Sequence, residues 1–144
     1  MPHFNITVSS DGPVIDLAVA IGRTWEKRLA ARAVPIPSPR VVRALIDTGA
    51  DLSAVHPEIL GQLGGRATGS VRIRRPGARN FRLAPISDVE LAIGRAGPNA
   101  PWIPTQVVGV APSIPTVLAL IGRDLLRHCT MFYNGPRDEL TLSC

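Results

Sequence analysis

The sequence predicts a single all-β domain on three observations: short apolar runs of strand length, Gly and Pro at the joints between them, and paired runs separated by tight-turn dipeptides. The chain holds 13 Gly and 14 Pro, and its 45% hydrophobic against 19% charged residues supports a packed core rather than a disordered chain. A length of 144 residues suffices for one domain and not for two, so an active site with two halves is expected to form between chains.

Phe4 to Val8 and Val14 to Ile21 read as strands of an N-terminal hairpin through Ser9-Ser10-Asp11-Gly12, because Asp-Gly suits the tight turn such a hairpin needs. Residues 22–40 read as an inserted surface loop: Trp25 to Ala33 has room for a helical turn or two, after which Pro35, Pro37 and Pro39 impose extended backbone. Val41 to Ile46 resumes as a strand that runs into Asp47-Thr48-Gly49-Ala50, and Pro57 to Leu63 reads as a short helix. In 71–82, Val71 and Ile73 alternate with Arg72 and Arg74 ahead of Pro76-Gly77-Ala78, which gives a hairpin with one apolar and one basic face. Val89 to Ile93 and Trp102 to Val110 add strands around the turn-rich Gly94 to Asn99. Val117 to Ile121 adds another, Gly122 breaks it, and Arg123 to His128 has the composition of a brief helix. A closing hairpin in 129–144 pairs Met131 to Tyr133 with Leu140 to Leu142 across Asn134-Gly135.

The chain echoes itself once. Ala44-Leu45-Ile46 leads into Asp47-Thr48-Gly49, and Ala119-Leu120-Ile121 leads into Gly122-Arg123-Asp124, as two halves related by a pseudo-two-fold would require. Asp47 ends an apolar strand on a Gly-containing turn, so its carboxylate is held on a rigid support beside apolar neighbours, a setting suited to acid–base chemistry. On the residues alone, an Asp before Gly at a strand end also reads as an ordinary turn residue.

Leu45-Ile46-Asp47-Thr48-Gly49-Ala50-Asp51 resembles the catalytic segment of the retropepsins, the retroviral-type aspartic proteases, and Leu120-Ile121-Gly122-Arg123-Asp124-Leu125-Leu126 resembles the Ile-Gly-Arg-helix segment that follows their flap. The likeness covers Val41 to Cys144, with a Gly-tipped hairpin between the two motifs in the family's order. It implies a closed β-barrel with a flap hairpin at 71–82 and one short C-terminal helix. It also implies an aspartic endopeptidase in which Asp47 is the catalytic aspartate and a homodimer supplies two of them. Such a pair shares one proton, one carboxylate acting as base toward a water while the other polarises the peptide carbonyl, with no metal or cofactor required.

The same resemblance assigns the neighbours. Thr48 matches the threonine whose hydroxyl reaches the other subunit's loop, and Gly49 the glycine that lets substrate backbone approach. Ala50 stands where pepsin-like enzymes often carry a hydroxyl, so an optimum nearer neutral pH than pepsin's is expected. Asp51 and Arg123 look like the family's buried acid and arginine, expected to form a fork-shaped brace sensitive to Arg123→Lys. Arg75, Pro76, Gly77 and Ala78 fall at the flap tip. There Arg72, Arg74, Arg75, Arg79 and Arg82 depart from the apolar viral pattern, leaving open a solvated face or a preference for acidic substrates. Thr141 to Cys144 is expected to interleave with the partner's terminal strands in one sheet.

Several function classes lose support. No apolar run approaches the ~20 residues of a membrane span, and Met1-Pro2-His3-Phe4 does not open like a secretion signal, so no membrane association and a cytoplasmic setting are expected. Cys129 and Cys144 are then expected to be reduced thiols. His3, His56 and His128 are scattered, and neither a zinc motif, a Gly-x-Ser-x-Gly elbow nor a phosphate loop occurs. The net charge of +5 permits nucleic-acid binding, but aromatics are only 4% and no binding motif accompanies the charge, so no nucleic-acid partner is expected; the partners that the resemblance implies are a second copy and a peptide or protein substrate. The alternative to catalysis is a non-proteolytic dimerisation or peptide-binding domain of the same fold.

Overall fold

The computed structural model describes residues 1–144 as two β-sheets with three short helices around them. Strands β2 (Val14–Ile21), β3 (Arg40–Ile46), β4 (Ala54–Val55), β6 (Arg82–Ile93), β7 (Ile103–Gly109) and β8 (Ala119–Ile121) follow the order β2-β3-β8-β4-β7-β6. The last five residues of β6 return to pair with β2, which closes a six-stranded barrel without free edges. The first part of β6 pairs with β5 (Gly69–Ile73), so the 71–82 hairpin forms as an extension of the barrel wall. A separate sheet orders β1 (His3–Thr7), β10 (Glu139–Ser143) and β9 (Thr130–Asn134) as β1-β10-β9.

Alternation along the strands fills the barrel. Leu17 and Val19 of β2, Leu91 of β6, Val107 of β7 and Ile121 of β8 are fully buried, each contributing about 1.5–3 kcal/mol of apolar burial. Ile6, Leu140 and Leu142 join the same cluster, so the small sheet caps the barrel through one apolar face. Val71 and Ile73 pack with the satellite cluster of Ala54, Ala84 and Val108, which anchors the apolar face of the hairpin. The internal echo has a direct counterpart: β3 and β8 run parallel with Ala44 beside Ala119, Leu45 beside Leu120 and Ile46 beside Ile121.

The expected N-terminal hairpin does not form, although its turn does. Ser9 and Gly12 exchange backbone hydrogen bonds of 3.2 and 2.9 Å, but β1 then joins β10 while β2 joins β3 and β6. Pro13 has no N–H with which to continue the ladder, and its carbonyl instead accepts from Ile46 N–H at 2.9 Å. Residues 22–40 are only partly a loop, since Arg23–Ala31 forms the helix α1. Trp25 and Leu29, one helical turn apart, pack on the core, and Arg23 pairs with the buried Glu90 at 2.6 Å, so tertiary contacts extend what composition suggested as a turn or two. The short helices expected at Pro57 to Leu63 and at Arg123 to His128 form as α2 (Pro57–Gln62) and α3 (Arg123–Leu126), so with α1 the chain has three α-helices where the resemblance implied one, at the C-terminus. None is long and apolar enough to cross a membrane.

The two cysteines are bridged, contrary to the expectation of free thiols. Cys129 precedes β9 and Cys144 follows β10, and the register that places Ser143 opposite Thr130 brings their Cα atoms to 4.2 Å. Closing this 15-residue separation is worth about 3 kcal/mol on the chain-entropy account. The terminal strand also differs from expectation. β10 hydrogen-bonds to β1 on one side and β9 on the other, so Thr141 to Cys144 has no backbone edge left to interleave with a partner.

Candidate active site

The barrel delivers Asp47 at the end of β3, on the turn Asp47-Thr48-Gly49-Ala50. The turn is held from the neighbouring strand: Asp47 N–H donates to Ile121 O at 2.9 Å, and Arg123 N–H donates to Ala50 O at 2.9 Å. The two sequence motifs are thus stitched at both ends of the loop. Within it, Gly49 N–H donates to Asp47 Oδ1 at 3.0 Å and Ala50 N–H to Asp47 O at 3.2 Å. Asp47 is half-buried, Thr48 and Gly49 are exposed, and no Arg, Lys or His pairs with the Asp47 carboxylate. A Cβ on Gly49 would stand 3.2 Å from Asp47 Oδ1, so glycine keeps the approach to that oxygen open.

The brace expected from Asp51 and Arg123 takes a different form. The two do pair, through a single contact of Arg123 Nη2 with Asp51 Oδ1, but their side chains are 80% and 61% exposed rather than buried. An ion pair so placed contributes about 0–1 kcal/mol.

The internal brace is Asp124 with Ser53, which the sequence reading missed. The Asp124 carboxylate accepts from Ser53 N–H at 3.0 Å, from Ser53 Oγ–H at 2.7 Å and from Leu125 N–H at 2.9 Å. Ser53 is fully buried, and its Oγ accepts in turn from Gly122 N–H at 3.0 Å. Hydrogen bonds to a charged group are worth about 1.5–3 kcal/mol, so this network outweighs the exposed pair. Gly122 is fixed by space: a Cβ there would lie 2.7 Å from Leu52 C and 2.9 Å from Ser53 N. The only sequence signal was the echo, which sets Gly122 beside Asp47; nothing local ties Ser53 to a carboxylate 71 residues away.

The expected flap tip, Arg75, Pro76, Gly77 and Ala78, lies on the β5–β6 hairpin, where Ala78 N–H donates to Arg75 O at 3.0 Å and Gly77 takes φ of +78°. The hairpin makes no hydrogen bond or ion pair to the Asp47 loop. Its arginines are not all free solvated charges: the Arg72 and Arg74 guanidiniums lie 5.1 and 5.4 Å from the Phe81 ring centroid. His56 has a local role, its Nδ1 accepting from Glu58 N–H at 3.1 Å to cap α2.

The loop therefore presents one carboxylate per chain, held by backbone and unneutralised by any cation, at the open end of a strand pair. No protein-family model matches this sequence, and no curated protein matches it significantly.

Proposed function

We propose that this chain is a retropepsin-like aspartic endopeptidase, active as a homodimer in which two Asp47 carboxylates face one another. The observation that carries this reading is the in-register pairing of β3 with β8, which sets Gly122 at the position equivalent to Asp47. One chain holds a single carboxylate where acid–base hydrolysis needs two, and a second copy supplies the other.

The two carboxylates share one proton. The ionised Asp47 takes a proton from a water whose oxygen attacks the peptide carbonyl, while the protonated Asp47 hydrogen-bonds to the carbonyl oxygen. The tetrahedral intermediate then breaks its C–N bond as a proton passes to the leaving nitrogen. The Gly49 N–H to Oδ1 bond orients each carboxylate, and the Ser53–Asp124–Gly122 network keeps the supporting strands fixed. The reduced thiols that followed from the expected cytoplasmic setting are replaced by a Cys129–Cys144 bridge, which suits an oxidising compartment.

The test compares wild type with Asp47→Asn on a denatured-protein mixture, with and without a pepstatin-type inhibitor. Inhibitor-sensitive cleavage by wild type alone is expected. Equal, inhibitor-insensitive background in both would favour the non-proteolytic peptide-binding alternative.

A further inference from the structure

The excess positive charge of this chain sits in one place. Residues 64–87 hold Arg66, Arg72, Arg74, Arg75, Arg79 and Arg82 and no Asp or Glu, while the other 10 of the 16 basic residues are outnumbered by the 11 acidic ones. The whole net charge of +5 therefore lies on the β5–β6 hairpin and its root. None of these six arginines forms an ion pair.

Register separates the two faces of the hairpin. From Ser70 to Pro85 the strands pair only with each other, because β7 first meets β6 at Ile86. Val71, Ile73 and Ala84 turn toward the barrel and its satellite cluster. Arg72 and Arg74 alternate with them and face outward, with Leu83 opposite Arg72 and the Phe81 ring within reach of both guanidiniums. Leu83 is 71% exposed and Phe81 54%, so the outer face carries two large apolar side chains ringed by cations.

We propose that this outer face docks on an anionic lipid surface, with Leu83 and Phe81 entering the headgroup layer and the arginines meeting the lipid phosphates. The expectation of no membrane association rests on the want of an apolar span, which peripheral docking does not need. Arginines beside an anionic leaflet each add to the attraction, and exposed apolar side chains among them add burial that charge alone cannot give. Lipid fits better than the other polyanions. A nucleic-acid backbone offers Leu83 nothing to bury against, and the Phe81 ring is engaged by Arg72 and Arg74 rather than left open for a base. An acidic peptide would want a groove, whereas the clefts of about 490 and 420 Å³ are lined by other residues than 70–85. The proposal goes beyond the hydrolysis proposed above and uses none of its residues.

Co-sedimentation of the full chain with phosphatidylcholine vesicles, with and without phosphatidylserine, tests this. Binding is expected only with phosphatidylserine present and should weaken as salt rises. Leu83→Ser, which changes no charge, should weaken it about tenfold or more, the scale of keeping a leucine side chain in water. Arg72→Gln with Arg74→Gln should weaken it about 25-fold, near fivefold for each charge. The control, Arg32→Gln with Arg127→Gln, removes two exposed charges elsewhere and should bind as wild type does. Should Leu83→Ser alter the circular dichroism spectrum, Phe81→Trp supplies a second reading, its emission expected to be quenched by brominated lipid beyond that of wild type. Loss of binding in the control equal to that in the hairpin variant overturns the proposal, as does an unquenched Trp at position 81. Binding to polyglutamate or duplex DNA as tight as to vesicles, and indifferent to Leu83→Ser, also overturns it in favour of a charge-only surface.

Discussion

Two turns leave parallel, in-register strands of the same sequence, Ala-Leu-Ile, and the chain uses them oppositely. The turn after Ile46 begins with Asp47, whose carboxylate takes one backbone hydrogen bond from its own loop and no cation. The turn after Ile121 begins with Gly122, packed so tightly on Leu52 and Ser53 that a methyl group has no room. Its acid, Asp124, comes two residues later and is spent internally on Ser53 and Leu125. Duplicated geometry thus yields one turn whose carboxylate has no cationic partner and one whose acid is spent internally, and on the proposed function a second copy supplies the second free carboxylate.

The comparison can be broken in four places, in descending order of effect. On the proposed function, Asp47→Asn should lower peptide hydrolysis by about 10²- to 10⁴-fold, with the melting temperature retained because the Asp47 carboxylate makes one hydrogen bond within its own loop and no ion pair. Gly122→Ala should destabilise by about 3 kcal/mol in urea denaturation, since the added carbon meets backbone that cannot step aside. Ser53→Ala should cost about 1–3 kcal/mol by the same measurement, as it strips a hydrogen bond from Asp124 and an acceptor from Gly122 N–H. Arg123→Lys should change stability by less than about 1 kcal/mol, because its pair with Asp51 is solvent-exposed. Were Arg123→Lys more damaging than Ser53→Ala, the supporting role would belong to the exposed pair after all.

Much of this was legible in the sequence because it is local. The strands, the 71–82 hairpin and the closing hairpin follow from alternation and turn chemistry, and the Ala-Leu-Ile echo marked two related strand-and-turn units, which the fold sets side by side. What failed was what depends on partners distant in the chain. The Asp-Gly turn formed, but Ile6 found its place against Leu140 and not across from β2. Helix α1 owes its length to Trp25 and Leu29 packing on the barrel and to Glu90, which no window around 22–40 contains. The Ser53–Asp124 bond spans 71 residues and had no local signature. The disulfide was recoverable: the register pairing Met131 with Leu142 places Cys129 opposite Cys144, a consequence obscured by treating the cysteines through compartment alone.

The central claim, that one site draws an Asp47 from each of two chains, is tested most directly by titrating Asp47→Asn subunits into wild type at constant total protein and following peptide cleavage after subunit exchange. Activity is predicted to fall as the square of the wild-type fraction, since a mixed pair has only one ionisable partner. A fall in simple proportion to that fraction would show that each chain works alone, and would contradict the account.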